Sequence, residues 1–168
     1  MMLAERKHGR CAMTKTNAMR LLESAKIPFE VGEYEVDEDD LSGVHAADKM
    51  GMDPDKVFKT LVCRDDRGGY EVFIIPVAYE LNLKKCAAAA GVKRVEMIHV
   101  KELLPLTGYI RGGCSPIGMK KKYPTWIDEC ATLCERIYVS AGQRGLQLIV
   151  EPEALCAFIE GQFADLIS

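Results

Sequence analysis

Two apolar runs joined by a short turn constrain the fold most strongly. The first, VFKTLVC, covers residues 57–63, and the second, YEVFIIPVA, covers residues 70–78. Both are rich in β-branched and aromatic residues, which favour strands. Residues 65–69, between them, contain the aspartates and glycines of a turn. We therefore predict a β-hairpin in the middle of the chain.

The patterns on either side of this hairpin predict a mixed fold. Helical spacing is found in segments 14–26, 45–50, 81–90, 101–106 and 152–163. We expect Pro105 to limit the fourth of these to a helical turn. Strand patterns cover 29–36, 93–100 and 146–150, and segment 125–140 predicts a short helical piece followed by a strand. Because helices and strands do not alternate regularly, we predict an α+β (mixed α/β) single domain with one curved mixed sheet or partial barrel flanked by helices.

Length and composition fit one reduced, globular domain. The 168 residues suit a single domain and contain no linker. Residues 1–12 lack the apolar core of a signal peptide, so we expect a disordered extension there and the domain over 13–168. No apolar run approaches the roughly 20 residues that cross a bilayer, so no membrane contact is expected. The seven cysteines include no C-x-x-C pair, which indicates a cytoplasmic chain without disulfides.

Familiar motifs for cofactors and catalysis are missing. The sequence has no Walker loop, no G-x-G-x-x-G fingerprint, no G-x-S-x-G elbow and no H-E-x-x-H. Its three histidines are scattered, and Cys130 and Cys134 have no nearby partner to complete a zinc site. We therefore expect no metal and no cofactor.

Segment 107–124, TGYIRGGCSPIGMKKKYP, differs in kind from the rest of the chain. Its four glycines, two prolines and four basic residues, with no acid, predict a basic loop. Gly112, Gly113 and Gly118 would allow backbone amides to approach an anion closely. The net charge of −3 argues against a protein that coats nucleic acid, but it leaves a local phosphate site open.

Lysines outside this loop have two interpretations. Lys84, Lys85, Lys93 and Arg94 form a second basic group, whereas residues 33–40 hold six acids and no base. Such segregation fits an anionic ligand, and solvated helix and loop faces are the alternative. Lys59, within the first hairpin strand, either reaches solvent or projects into a pocket.

Five separated motifs carry a resemblance to a known family. They are FKTLV from Phe58, ELNLKK from Glu80, GVKRVEM from Gly91, TGYIRGGCSPIGMKKK from Thr107 and IYVSAGQRGLQL from Ile137. Together they resemble the YbaK/EbsC family of free-standing aminoacyl-tRNA deacylases, which are related to the editing domain of bacterial prolyl-tRNA synthetase. The resemblance runs in matching order from about Met13 to the C-terminus. It implies a YbaK-like fold and a metal-independent, cytoplasmic enzyme that hydrolyses mischarged aminoacyl-tRNA, characteristically Cys-tRNA(Pro).

The same resemblance implies roles for individual residues. Lys59, from the F-K-T strand, and Gly112, which opens the G-x-x-x-P loop, are expected to be catalytic. The expected substrate-binding residues are Tyr34, Thr60, Gly113, Ser115, Pro116 and Ser140. In the family, the thiol of the esterified cysteine is thought to attack its own ester carbonyl, so that the enzyme supplies orientation and electrostatics.

Several alternatives stay open at this point. Tyr79, before ELNLKK, stands where some relatives place a smaller polar residue, so another substrate such as Ala-tRNA(Pro) is possible in principle. A non-catalytic module that binds tRNA or a nucleotide is a second alternative, and a redox enzyme centred on Cys114 is a third. The weak basic character also suggests that selection of tRNA(Pro) depends on prolyl-tRNA synthetase as a partner.

Overall fold

The computed structural model describes residues 15–168, and it confirms the predicted hairpin at the centre of the larger of two sheets. The strands are β1 Glu30–Glu33, β2 Phe58–Asp65, β3 Tyr70–Pro76, β4 Val95–Met97, β5 Thr125–Asp128, β6 Ile137–Ser140, β7 Leu146–Val150 and β8 Gln162–Ala164. The α-helices are α1 Asn17–Ser24, α2 Gly43–Lys49, α3 Leu83–Ala90, α4 Val100–Thr107 and α5 Pro152–Phe158. Short 3-10 helices cover Pro54–Lys56 and Glu129–Leu133.

The two sheets are open, and only the larger one is mixed. The larger has the strand order β4-β2-β3-β5-β8, and the smaller has the order β1-β7-β6. β3 pairs with β5, and β5 with β8, in parallel, whereas the other neighbours are antiparallel. A parallel bridge between Val57 and Tyr138 joins the start of β2 to β6, so the sheets meet along these two strands. The predicted α+β fold with a partial barrel is therefore confirmed.

Side-chain caps and an apolar core explain why the helices form where they do. Thr16, Ser42 and Asn82 each accept a hydrogen bond from a backbone amide in the first turn of α1, α2 and α3, respectively. α3 ends at Gly91, which has a φ of 73°. The main core lies between the two sheets, α1 and α5, and a second core fills the space between the larger sheet and α3.

The structure corrects several details of the sequence interpretation. Pro105 lies inside α4, which continues to Thr107: the proline cannot donate to the carbonyl of residue 101, but the amide of Gly108 still donates to the carbonyl of Leu104 at 2.9 Å. β5 and β8 were not predicted, and β1 is shorter than segment 29–36. Both missed strands have only three or four residues, and β5 is fully buried, so neither shows a regular alternation.

Two expectations concern the ends of the chain and its surroundings. The disordered extension predicted for residues 1–12 lies outside the described residues. Within 15–168, no helix combines the length and apolar character needed to cross a bilayer.

Candidate functional site

A cavity of about 710 Å³ opens between the two sheets. Residues of β2 and of the ends of β6 and β7 line it. The N-terminal turn of α2, the connection from β4 to α4 and the loop at residues 111–114 complete the lining. Five of the predicted site residues meet here, namely Tyr34, Lys59, Thr60, Gly112 and Ser140. The cavity is the right size for a ligand of nucleoside dimensions.

Lys59 brings a positive charge to the cavity. Its side chain is 25% exposed, and its Nζ lies 3.8 Å from Oε2 of Glu80, whose side chain is 89% exposed. An ion pair with so exposed a partner contributes about 0–1 kcal/mol. The ammonium is therefore held at the cavity wall by β2 and remains available to an anionic or developing negative charge of a ligand.

Gly112 also lines the cavity and packs closely against Arg144. Its φ of 86° lies in the left-handed region, and a Cβ there would lie 3.3 Å from Nε of Arg144. Arg144 in turn donates from Nε to the carbonyl of Arg111 at 2.9 Å and from Nη1 to Glu38 at 3.2 Å. Arg144, which the sequence analysis did not single out, therefore holds the glycine loop against the acidic segment that follows β1.

The other predicted loop residues do not line this cavity. The amide of Gly113 donates to the carbonyl of Ile110 at 2.9 Å, and the hydroxyl oxygen of fully buried Ser115 accepts from the amide of Ile117 at 3.2 Å. Pro116 lines a separate, smaller cavity. These residues shape the loop, and direct substrate contact by Gly113, Ser115 and Pro116 stays a prediction.

Two loop amides differ from that of Gly113. Within residues 15–168, the amides of Gly112 and Cys114 donate to no protein acceptor, and both residues line the cavity. Unpaired backbone amides beside a reaction centre are the usual donors of an oxyanion hole. They are the loop's candidates for that role.

Tyr34 and Ser140 are placed by the smaller sheet. The amide of Tyr34 donates to the carbonyl of Gly145 at 3.0 Å, which extends the pairing of β1 beyond its last strand residue. The hydroxyl oxygen of Ser140 accepts from the amide of Gly142 at 3.1 Å. No histidine or carboxylate of the described chain forms a hydrogen bond with this hydroxyl, so Ser140 lacks the base that activates a serine nucleophile.

Two buried oxygens in the cavity lack a partner. Oγ1 of Thr60 and Oε1 of Gln147 form no hydrogen bond with residues 15–168, although Gln147 is only 6% exposed. A buried polar atom without a partner costs about 1–3 kcal/mol, so these atoms are poised to bind a ligand group. Gln147 was not predicted from sequence, where it is one polar residue in the strand LQLIV; it reaches the site because β7 pairs it with Ser140.

The protonation state of Cys114 argues against a mechanism in which a cysteine of the protein is the nucleophile or redox group. Cys114 lines the cavity, but burial raises the pKa of its thiol to about 12. Only about one thiol in 10⁵ is then ionised at pH 7.

His99 also lines the cavity, and the sequence analysis did not predict this position. Among residues 15–168, no group of three or more potential metal ligands is found.

Comparison with known proteins identifies the family. Residues 41–158 match the model of the aminoacyl-tRNA editing domain. The chain belongs to this family. It is 49% identical, over 90% of its length and 93% of the relative, to EbsC of Enterococcus faecalis, which is provisionally named a Cys-tRNA(Pro)/Cys-tRNA(Cys) deacylase. The resemblance stated from the five motifs is thus confirmed, and with it the expectation of an enzyme of the aminoacyl-tRNA deacylase class.

Two more distant relatives agree with this assignment. Proline–tRNA ligase of Shouchella clausii is 31% identical over 104 residues, which cover 62% of this chain and 18% of the ligase. A solved structure that is described provisionally as a trans-editing enzyme for prolyl-tRNA synthetase superposes with a TM-score of 0.78 at 22% identity. The superposition covers 92% of this chain and 99% of the other, and it shows that the two share the editing-domain fold.

Proposed function

We propose that this member of the aminoacyl-tRNA editing family removes cysteine from mischarged tRNA(Pro) in the cytoplasm. The observation that carries the proposal is the meeting of Lys59, Gly112 and Ser140 around one cavity of about 710 Å³. This volume accommodates the aminoacylated terminal nucleoside but not a nucleic acid duplex. The name of the Enterococcus relative supports cysteine as the amino acid.

The cavity favours a reaction in which the substrate supplies the nucleophile. Cys114 is protonated because burial raises its pKa to about 12, and the hydroxyl of Ser140 has no base. The thiol sulfur of the bound cysteine attacks the carbonyl carbon of its own ester, and the bond from that carbon to the ribose oxygen then breaks. The ribose oxygen takes up the proton that the thiol loses, and cysteine leaves as a thiolactone that water opens.

The protein's residues have distinct roles in this reaction. The amides of Gly112 and Cys114 stabilise the negative charge on the carbonyl oxygen, and Lys59 supplies a positive charge in the same cavity. Orientation of the thiol toward the carbonyl can lower the barrier by several kcal/mol. Proline has no side-chain nucleophile, so correctly charged Pro-tRNA(Pro) would survive.

A panel of purified aminoacyl-tRNAs tests the proposal. Cys-tRNA(Pro) should be deacylated far faster than in buffer, and Ser-tRNA(Pro), which replaces sulfur by oxygen, should react much more slowly. Comparable cleavage of both would point to an activated water. Faster cleavage of Ala-tRNA(Pro) would assign the protein to a different editing specificity.

Lys59→Ala provides the matching test of the site. Loss of a charged hydrogen bond of about 1.5–3 kcal/mol should lower kcat/KM roughly 10- to 150-fold. Lys84→Ala is the control, because Lys84 lies on α3 and does not line the cavity. Identical rates for both variants and the wild type would refute the assignment of the site, and tRNA binding without turnover would identify a binding module instead.

Recognition of tRNA(Pro) is a further part of the proposal. We propose that residues 13–168 form the deacylase domain and that prolyl-tRNA synthetase helps to select the tRNA. Co-sedimentation of the protein with the synthetase in the presence of tRNA(Pro) tests the partner. Deletion of residues 1–12 should leave kcat/KM for Cys-tRNA(Pro) unchanged.

A further inference from the structure

A second cavity, of about 230 Å³, lies next to the basic end of the glycine loop. Lys120, Lys121 and Lys122 line it, and Pro116 and Phe158 are among the apolar residues of its wall. A concave surface with three consecutive lysines differs from a solvated lysine run, since it can surround an anion on more than one side.

The backbone of the lysine segment is fixed before any ligand binds. The amide of Lys120 donates to the carbonyl of Thr107 at 3.0 Å, and the hydroxyl of Tyr123 donates to the carbonyl of Leu106 at 2.8 Å. The hydroxyl of Tyr109 also donates to the carbonyl of Ile117. These hydrogen bonds hold the segment against the end of α4. The entropy cost of binding a ligand would therefore come from ordering the lysine side chains alone.

The three lysines are not equally neutralised. Lys122 forms an ion pair with Glu160, and Nζ of Lys120 lies 3.5 Å from the carbonyl of Pro105. Lys121 has no acidic partner within residues 15–168 and is exposed. It is therefore the lysine whose charge is most available to an outside anion.

The other basic group of the chain lacks this arrangement. Lys85 pairs with Asp165, and Asp66 accepts from the amides of Lys93 and Arg94. None of the basic residues of that group lines either of the two cavities. Charge alone therefore does not distinguish the two groups, but concavity does.

The lysine cavity is also close to the substrate cavity. Cys114 lines the large cavity and Pro116 lines the small one, and two residues span at most about 7 Å. An anionic chain that enters the large cavity with its end would pass this short loop with its next units. A tRNA acceptor end has this shape and carries one phosphate per nucleotide.

We propose that Lys120, Lys121 and Lys122 bind the sugar–phosphate backbone of the tRNA acceptor end while the esterified nucleotide occupies the large cavity. The inference rests on the proposed function for the choice of tRNA as the ligand. Glu160 limits the strength of this surface, since its carboxylate offsets Lys122.

Binding of uncharged tRNA to the full-length protein, measured between 50 and 300 mM salt, tests the surface without any catalytic step. Lys121→Glu should raise Kd about 10-fold and lower the slope of log K against log salt by about 1 or more. Lys121→Gln should shift both in the same direction by less. Glu160→Gln should act in the opposite direction and tighten binding.

Lys84→Glu is the matched control, because it makes the same charge change in the other basic group. Equal weakening by Lys84→Glu and Lys121→Glu would overturn the proposal, as would unchanged binding in Lys121→Glu or no measurable binding of tRNA by the wild type. Circular dichroism must show that the variants are folded. If Lys121→Glu loses tRNA binding while the wild type deacylates no substrate, the surface stands and the proposed activity fails.

A second measurement separates the surface from the reaction site. With cysteinyl-adenosine, which has no phosphate, Lys121→Glu should retain the wild-type kcat/KM. With Cys-tRNA(Pro) its KM should rise about 10-fold. A loss on both substrates would show that Lys121 acts on the large cavity and would refute a phosphate role.

Discussion

The glycine loop allows a sharp test, because the chain contains two glycines with the same backbone conformation and different surroundings. Gly112 and Gly68 both have a φ of 86°. A Cβ on Gly68, in the hairpin turn, would meet nothing within 4 Å, whereas a Cβ on Gly112 would lie 3.3 Å from Nε of Arg144. Substitution by alanine therefore places a Cβ at the same left-handed φ in both positions and creates a steric conflict at only one.

The expected magnitudes follow from these contacts. The left-handed backbone costs an alanine about 1–2 kcal/mol in each variant. In Gly112→Ala, Arg144 must also move, and its 2.9 Å hydrogen bond to the carbonyl of Arg111 is weakened, which adds about 1 kcal/mol. Gly112→Ala should therefore melt about 2–4 °C below Gly68→Ala. Its displaced loop amides should also lower kcat/KM about 10-fold, whereas Gly68→Ala should keep wild-type activity.

Thermal unfolding and deacylation of Cys-tRNA(Pro) by both variants provide the measurements. Combining each with Arg144→Ala removes the side chain that the new Cβ would meet. The difference in stability between the two glycine variants should then shrink to less than about 0.5 kcal/mol, because the contact between the new Cβ and the Arg144 side chain is the source of that difference. Equal melting temperatures for Gly112→Ala and Gly68→Ala in the original background, with equal activities, would refute the close fit of Arg144 over the loop.

Three further predictions follow from the burial of polar groups. Gln147→Leu should raise the melting temperature, because it removes a buried oxygen without a partner. If that oxygen binds substrate, the same variant should lower kcat/KM about 10-fold. Unchanged kinetics would restrict Gln147 to a structural role. Burial and the neighbouring Asp65 carboxylate raise the pKa of Glu71 to about 8. The raised pKa of Glu71 contributes stability that is fully present below its unfolded value of 4.5 and is lost as the pH rises through about 8, so Glu71→Gln should flatten this fall in urea unfolding, whereas an unchanged slope would contradict the shift. Cys114→Ala should retain activity within about 3-fold in the deacylation assay, and abolition of activity would revive the thiol mechanism.

Local signals in the sequence were sufficient for several elements of the fold. The hairpin and the helices predicted over 14–26 and 81–90 each depend on residues within a few positions of one another. β5 and β8 could not be predicted from local signals, since their pairing partners are remote in sequence. What makes residues 125–128 a strand is the empty edge of β3, which no local pattern reveals.

The site shows the same division between local and distant information. The family motifs named Lys59, Gly112 and Ser140, which line the cavity, but they also named Gly113 and Ser115, which do not. A family motif indicates that a residue is required. It does not indicate whether the residue contacts the ligand itself or stabilises the loop that contacts the ligand. The amide of Gly113 donates to the carbonyl of Ile110, and the hydroxyl oxygen of Ser115 accepts from the amide of Ile117, so both residues help to hold the loop, while their contact with substrate stays a prediction.

Gln147 illustrates the converse case. It stands in a strand whose local pattern predicts only burial, and its importance arises because the β6–β7 register sets it opposite Ser140 and because the larger sheet closes over it. Thr60 reaches the same space from β2, in the other sheet. The two unpaired oxygens thus come from different sheets, and both reach the cavity only if the two sheets keep their register. A substitution that shifts β6 against β7 should therefore impair substrate binding even when every residue of the family motifs is intact.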